Sequence, residues 1–152
     1  MNEPLAYTFI CLAAGKGTRM GPLSSYLQKC MYPLNGLPFI EYTLRELAAS
    51  SLLRPGESEI VFVVGHHAEQ LSTYFGEEYE GARLRYIPQE TPAGTAHAVQ
   101  TALDALSDPD QVIVWLGDAF FPTQTFEALG AQRDPVTITL SEETDSPALH
   151  HR

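Results

Sequence analysis

The sequence predicts an α/β protein built on a mainly parallel sheet with helices on both faces. Apolar, strand-like runs alternate with helical patterns along the chain, as they do where crossover helices cover a parallel sheet. Two of those runs, "IVFVV" at Ile60–Val64 and "VIVWL" at Val112–Leu116, are apolar without alternation, as expected of strands covered on both sides. A third run, Tyr7–Ala13, breaks abruptly into "AGKGTRM", a loop of small residues and cations at the end of a first strand.

Taken in order, Tyr7–Ala13 is a strand and the glycine loop follows it. Ile40, Leu44, Leu47 and Ala48 recur at helical spacing, and Glu41 with Arg45 adds an i,i+4 ion pair. Ile60–Val64 is the second strand, followed by a short helix around Ala68–Phe75 and a brief strand at Leu84–Ile87. Thr95–Leu106 reads as a helix with Val99, Leu103 and Leu106 on one side. Val112–Leu116 is another buried strand, and Val136–Leu140 is a fifth. Ligands of such sheets bind beyond the carboxyl ends of the strands. The glycine loop and Gly117-Asp118 both follow strands, so they can face one another.

The 152 residues suit one domain spanning 1–152, with an irregular tail over 141–152. No apolar run approaches the ~18–20 residues that cross a membrane, and the early Glu3 does not suit a signal peptide. Cys11 and Cys30 lack metal-type spacing, and two free thiols fit a cytoplasmic protein. A net charge of −10 argues against a nucleic-acid partner. Charge is unevenly spread: residues 1–40 hold Lys16, Arg19 and Lys29 against Glu3 alone, a balance of +2, which leaves −12 for the rest. A small cationic island in an acidic chain suits a compact anion.

For the loop, a phosphate is the natural anion, because small residues let backbone N–H groups approach it. A Walker loop fails, since Ile10 stands where its first glycine belongs and Gly17 where its hydroxyl belongs. A dinucleotide fingerprint fails too: Met20 takes the third glycine position, and the second strand ends in Gly65 rather than an acid.

Two further segments carry chemistry. In "QETPAGTAHAV", the Gln89 amide can read donors and acceptors on a base edge, and Gly94 lets a flat ring lie against the backbone. In "WLGDAFF", Asp118 follows a buried strand, where a carboxylate suits Mg²⁺ bridged to phosphate. Each segment alone also fits a plainer reading: a tight glycine turn, a Thr-capped helix start and a strand-end Asp turn. His97 is read as a packing or surface residue, and neither His66-His67 nor His150-His151 as a metal pair.

Together these segments resemble the sugar-phosphate nucleotidyltransferases, also called sugar-nucleotide pyrophosphorylases. The family opens on L-A-A-G-x-G-T-R-L/M, then P-L-S/T, P-K and P-x-x-G-x-P before an apolar helix. Here these read "LAAGKGTRM", "PLS", "QK", "PLNGLP" and "FIEYTL", followed in order by Gln89, "GTAHA" and Gly117-Asp118. The resemblance spans about residues 7–140. It implies a Rossmann-like sheet of the nucleotide-diphospho-sugar transferase type and transfer of a nucleoside monophosphate from a triphosphate to a sugar-1-phosphate. By the same resemblance, the nucleotide site comprises Leu12, Ala13, Ala14, Gly15, Lys16, Gly17 and Thr18, with Leu12, Ala13 and Gly15 nearest base and sugar. Gln89, Gly94 and Thr95 complete that site, with Gln89 and Gly94 on the base. Arg19 would neutralise the triphosphate and departing pyrophosphate, Lys29 would hold the α-phosphate and sugar phosphate together, and Asp118 would hold Mg²⁺.

Two departures stand out. The family carries proline before the loop lysine, and Gln28 in its place is expected to loosen Lys29. Family members also run on for another stretch that supplies the sugar pocket and a second metal-binding aspartate, so the chain reads as an N-terminal, nucleotide-binding portion. Asp145 is too near Asp118 in sequence to be that second ligand. Alone, the chain is expected to bind Mg²⁺–triphosphate weakly, to make no sugar nucleotide at a useful rate, and to self-associate through exposed sheet edges. UTP or dTTP is the expected donor, although GTP-using relatives share the pattern. The competing functions are a noncatalytic nucleotide-binding or regulatory module and a transferase acting on another small phosphate such as phosphocholine.

Overall fold

Tyr7–Ala13 forms strand β1, in which Tyr7, Phe9, Cys11 and Ala13 point into one apolar core and Ile10 into another. The computed structural model describes residues 7–91, 93–107, 109 and 111–132. After β1 the chain runs through the glycine loop into 3₁₀ segments at Thr18–Ser25 and Lys29–Met31. Strands β2 (Pro33–Leu34) and β3 (Leu37–Pro38) make a minimal antiparallel hairpin. Its turn residues, Asn35 and Gly36, have φ of 49° and 84°, the backbone that tight hairpins select.

Helix α1 (Phe39–Ala48) follows, with Ile40, Leu44 and Leu47 fully buried along one stripe. Burial of each such side chain stabilises the fold by about 1.5–3 kcal/mol. Across the helix, Arg45 Nη2 donates to Glu41 Oε1 at 2.7 Å, the expected i,i+4 pair. Strand β4 (Glu59–Val64), helix α2 (Ala68–Phe75), the two-residue β5 (Glu78–Tyr79) and β6 (Ala82–Pro88) come next. Helix α3 (Thr95–Asp104), strand β7 (Gln111–Leu116) and helix α4 (Thr123–Gly130) complete the described elements.

The main sheet has the order β5-β6-β4-β1-β7, parallel throughout except where β5 pairs antiparallel with β6. From β1 the chain steps outward to β4 and β6, then returns across the sheet to β7 on the far side of β1. Parallel crossovers are right-handed. The outward steps therefore carry their helices on one face and the return crossing carries α3 on the other. The cores agree: side chains of α1, α2 and α4 share one cluster with Phe9, Phe62 and Trp115, while Ala98 and Ala102 of α3 join Ile10, Val61 and Val63 in the second. The change of direction falls between β1 and β7, so a crevice opens at their carboxyl ends.

Two expectations need correction. Among the described residues, strand β7 is fully covered on one side only; on the other, Val112 packs against the second core and the rest of the face is open. Ile113 and Trp115 are buried, but Val114 and Leu116 are 38% and 45% exposed. As an edge strand among the described residues, β7 is reached by the α3 side of the core only at Val112. Helix α3 buries Ala98 and Ala102 instead of Val99 and Leu103, and Leu103 is exposed. Alanines let the helix axis approach the sheet closely, and that fit outweighs the larger apolar stripe; only Leu106 of the expected side packs against this core. Val136–Leu140 and the 141–152 tail lie outside the described residues.

Candidate active site

A cleft of about 410 Å³ opens at the carboxyl ends of β1 and β7. Its floor begins at Leu12 and Ala13 and continues through Ala14, Gly15, Lys16, Gly17, Thr18 and Arg19. Gly17 has φ +62°, a left-handed backbone that turns the chain into the first 3₁₀ segment, where Met20 N–H donates to Gly17 O at 2.8 Å. Nothing lies within 4 Å of where a Gly15 side chain would project, so the loop faces open space there.

The loop is supported from behind by the end of β4. A Cβ on Gly65 would stand 2.7 Å from the carbonyl oxygen of Ala14, inside any normal contact. That oxygen belongs to the backbone and cannot turn away. Gly65→Ala is therefore expected to destabilise the protein by about 1–3 kcal/mol, a fall in Tm of very roughly 2–12 °C for a domain of this size. An unchanged melting curve would show that the loop is not seated against β4.

From the other side, Gly117 N–H donates to Leu12 O at 3.0 Å, laying the Gly117-Asp118 turn along the end of β1. Asp118 Oδ2 accepts from Lys29 Nζ, which reaches over from the second 3₁₀ segment. Both side chains are about one-third exposed, at 35% and 37%, so the pair sits in the cleft wall in contact with solvent. Gln89, immediately after β6, extends the ladder by donating its N–H to Val64 O at 2.8 Å. Its side-chain Nε2 lies 3.3 Å from Gly94 O and 2.8 Å from His97 Nδ1, so the donor end of the amide is already engaged. Gly94 and Thr95 open α3 on the same rim, with Gly94 in the cap position and Thr95 the first helical residue.

All thirteen positions singled out in the sequence thus line one cleft, drawn from segments as far apart as Leu12 and Asp118. The cleft also includes Gln28, Cys30, Ala98, Leu116 and Gly117. Gln28 corrects the expectation of a loosened lysine. It is 4% exposed; its side chain donates to Ala13 O and accepts from Cys30 N–H at 2.6 Å, capping the segment that carries Lys29. A buried glutamine with both ends bonded anchors the lysine segment. Cys30 carries no sequence signal of its own. Burial pushes its thiol up to about 12, and burial likewise raises Cys11 behind it.

Charge distribution separates this cleft from the rest of the surface. Arg45, Arg54, Arg83 and Arg85 each pair with a glutamate. Among the described residues, Lys16 and Arg19 alone of the lysines and arginines have no carboxylate within ion-pair distance. Asp118 is the only acid in the lining, and no group of three or more metal-ligating side chains comes together among the described residues. A single carboxylate in a solvent-filled cleft can serve as one ligand of Mg²⁺, which completes its shell with water and other oxygens. No helix among the described residues is long and apolar enough to cross a membrane.

Comparison with known proteins gives a consistent picture. The chain is 36% identical over 149 residues to the bifunctional protein GlmU of Alkalilimnicola ehrlichii, covering 97% of this chain and 29% of that protein. It is 30% identical over 125 residues to the UTP–glucose-1-phosphate uridylyltransferase AglF of Haloferax volcanii, covering 82% of this chain and 49% of that one. The chain therefore spans half or less of the length of these curated relatives. In fold it is similar to a UDP-glucose pyrophosphorylase solved with UDP-glucose, with a TM-score of 0.65 and 22% identity over 84% of this chain and 54% of that one. The family model described as the MobA-like NTP transferase domain matches residues 9–152. From within β1 onward, the chain belongs to the MobA-like NTP transferase domain family.

Proposed function

We propose that the cleft binds a nucleoside triphosphate and serves transfer of its nucleoside monophosphate to a sugar-1-phosphate. The observation that carries this reading is the convergence of unpaired cations and open backbone on one cleft of an otherwise acidic chain. The relatives' names, among them a UTP–glucose-1-phosphate uridylyltransferase, support a uridine or similar donor and a hexose phosphate acceptor.

In this reading the N–H groups of Leu12 to Thr18 cradle the nucleotide, and Lys16 and Arg19 meet the β- and γ-phosphates. Lys29 leaves Asp118 to bridge the α-phosphate and the acceptor phosphate. Asp118 would hold Mg²⁺, which supplies charge neutralisation on the phosphates when bound. An oxygen of the sugar phosphate forms a bond to the α-phosphorus. The bond from that phosphorus to the β-bridging oxygen breaks, and its electron pair departs with pyrophosphate. No protein nucleophile is required, because positioning and preorganised charge lower the barrier. The direct test is calorimetry of the chain with UTP, dTTP, GTP and their nucleosides in Mg²⁺. Triphosphates binding no better than nucleosides would overturn the reading.

Gln89 is assigned to the base. Its Nε2 faces His97 and Gly94, so the amide is held in one orientation before any ligand arrives. Gln89→Ala is expected to shrink the affinity gap between preferred and disfavoured triphosphates by roughly three- to tenfold, the range of one or two hydrogen bonds. The dependence of affinity on phosphate number should stay as it was. Unchanged base preference in a competition assay would remove Gln89 from this role.

A further inference from the structure

The segment that delivers Lys29 is held from outside the cleft. Gln70, in the first turn of α2, uses both ends of its amide on that segment: Oε1 accepts from Gln28 N–H at 2.8 Å, and Nε2 donates to Tyr26 O at 2.7 Å. His67 is one turn earlier, in a left-handed backbone with φ 60°, and its Nε2 lies 3.1 Å from Ser25 O. Three anchor points, at residues 25, 26 and 28, thus tie the lysine segment to the turn that follows β4 and to the first turn of α2. Gln28 then passes the constraint inward, from its side chain to Ala13 O at the end of β1.

Gln70 itself does not line the cleft. A half-buried glutamine making two bonds to the backbone of a loop costs side-chain entropy that only a fixed loop position repays. Tyr26 and Leu27 close a last turn by donating their N–H groups to Leu23 O at 3.1 and 3.0 Å, and past that turn Gln28 N–H is held by the Gln70 side chain. We infer that Gln70 is a positioning residue: it clamps the Tyr26–Gln28 backbone and so sets where the Lys29 ammonium stands against a bound phosphate. The inference rests on the assignment of Lys29 to phosphate.

The experiment is a double-mutant cycle on the 152-residue chain, using Gln70→Met, Lys29→Ala and their combination, with UTP and uridine in Mg²⁺ as probes. Gln70→Met keeps the side-chain length and loses both hydrogen bonds. It is expected to weaken UTP binding roughly three- to tenfold, the span a lost hydrogen bond covers, and to leave uridine binding unchanged. In the Lys29→Ala background its effect on UTP should vanish. Amide exchange at Gln28 should speed up on the order of tenfold in Gln70→Met, as the local clamp opens. Equal losses of UTP affinity in both backgrounds, or equal losses for UTP and uridine, would show that Gln70 only supports the fold. Lys29→Ala binding UTP like the wild type would instead overturn the phosphate assignment, and the exchange rate at Gln28 would then decide the clamp alone. Gln70→Ala runs the same cycle if the methionine variant does not fold.

Discussion

Arg19→Ala, assayed in a full-length enzyme that also supplies the sugar pocket, is expected to lower sugar-nucleotide formation on the order of 10²-fold or more, the usual effect of removing a donor aimed at developing charge. It should weaken triphosphate binding far more than nucleoside binding. The structural basis is specific. Arg19 is exposed on the first 3₁₀ segment, lines the cleft, and takes part in no ion pair among the described residues. A cation kept free in a chain with 19 acids against 9 lysines and arginines is held away from neutralising partners at some electrostatic cost. Because an exposed side chain outside any ion pair adds little to folding stability, its loss should leave the melting temperature nearly unchanged. Equal losses for nucleoside and triphosphate, or a marked drop in Tm, would mark Arg19 as structural.

Asp118→Asn should produce effects of opposite sign depending on Mg²⁺. Without the metal, the substitution removes a negative charge from the anion site and frees Lys29 from its ion pair, so triphosphate binding should tighten. With Mg²⁺ present, the variant lacks the carboxylate that lines the cleft among the described residues, so Mg²⁺–triphosphate binding should weaken, and in a full-length enzyme activity should fall by roughly 10²- to 10³-fold. Titrating triphosphate against wild type and variant at zero and saturating Mg²⁺ reads both arms. Parallel changes in the two conditions would show that Asp118 only orients Lys29.

The parts of the fold that show repeating patterns could be read from the sequence. Strand β1 falls on its expected residues and helix α1 carries its expected stripe of Ile40, Leu44 and Leu47, because an apolar run and a helical stripe each repeat often enough to be read. The two-residue strands β2, β3 and β5 show no period at all, and α4 was obscured by a short stripe with a single buried residue, Phe126. The exposure of Val114 and Leu116 on β7 is a property of sheet order rather than of "VIVWL", so only the topology reveals it. At the site, the cleft gathers the residues whose types suggested phosphate chemistry. The Gln70 clamp and the cap formed by Gln28 escaped because glutamine gives no local signal of which distant backbone it will bind.

Cys11 and Cys30 are both buried, and their thiols remain protonated far above neutral pH. The thiolate is the species that attacks maleimides and iodoacetamides. The natural cysteines are therefore masked in the folded protein, and a single cysteine introduced on an exposed position of the lysine segment would take a fluorophore selectively. The protein thus offers a background for watching that segment by fluorescence as triphosphate arrives, with no need to strip out its own thiols and disturb the core behind the glycine loop.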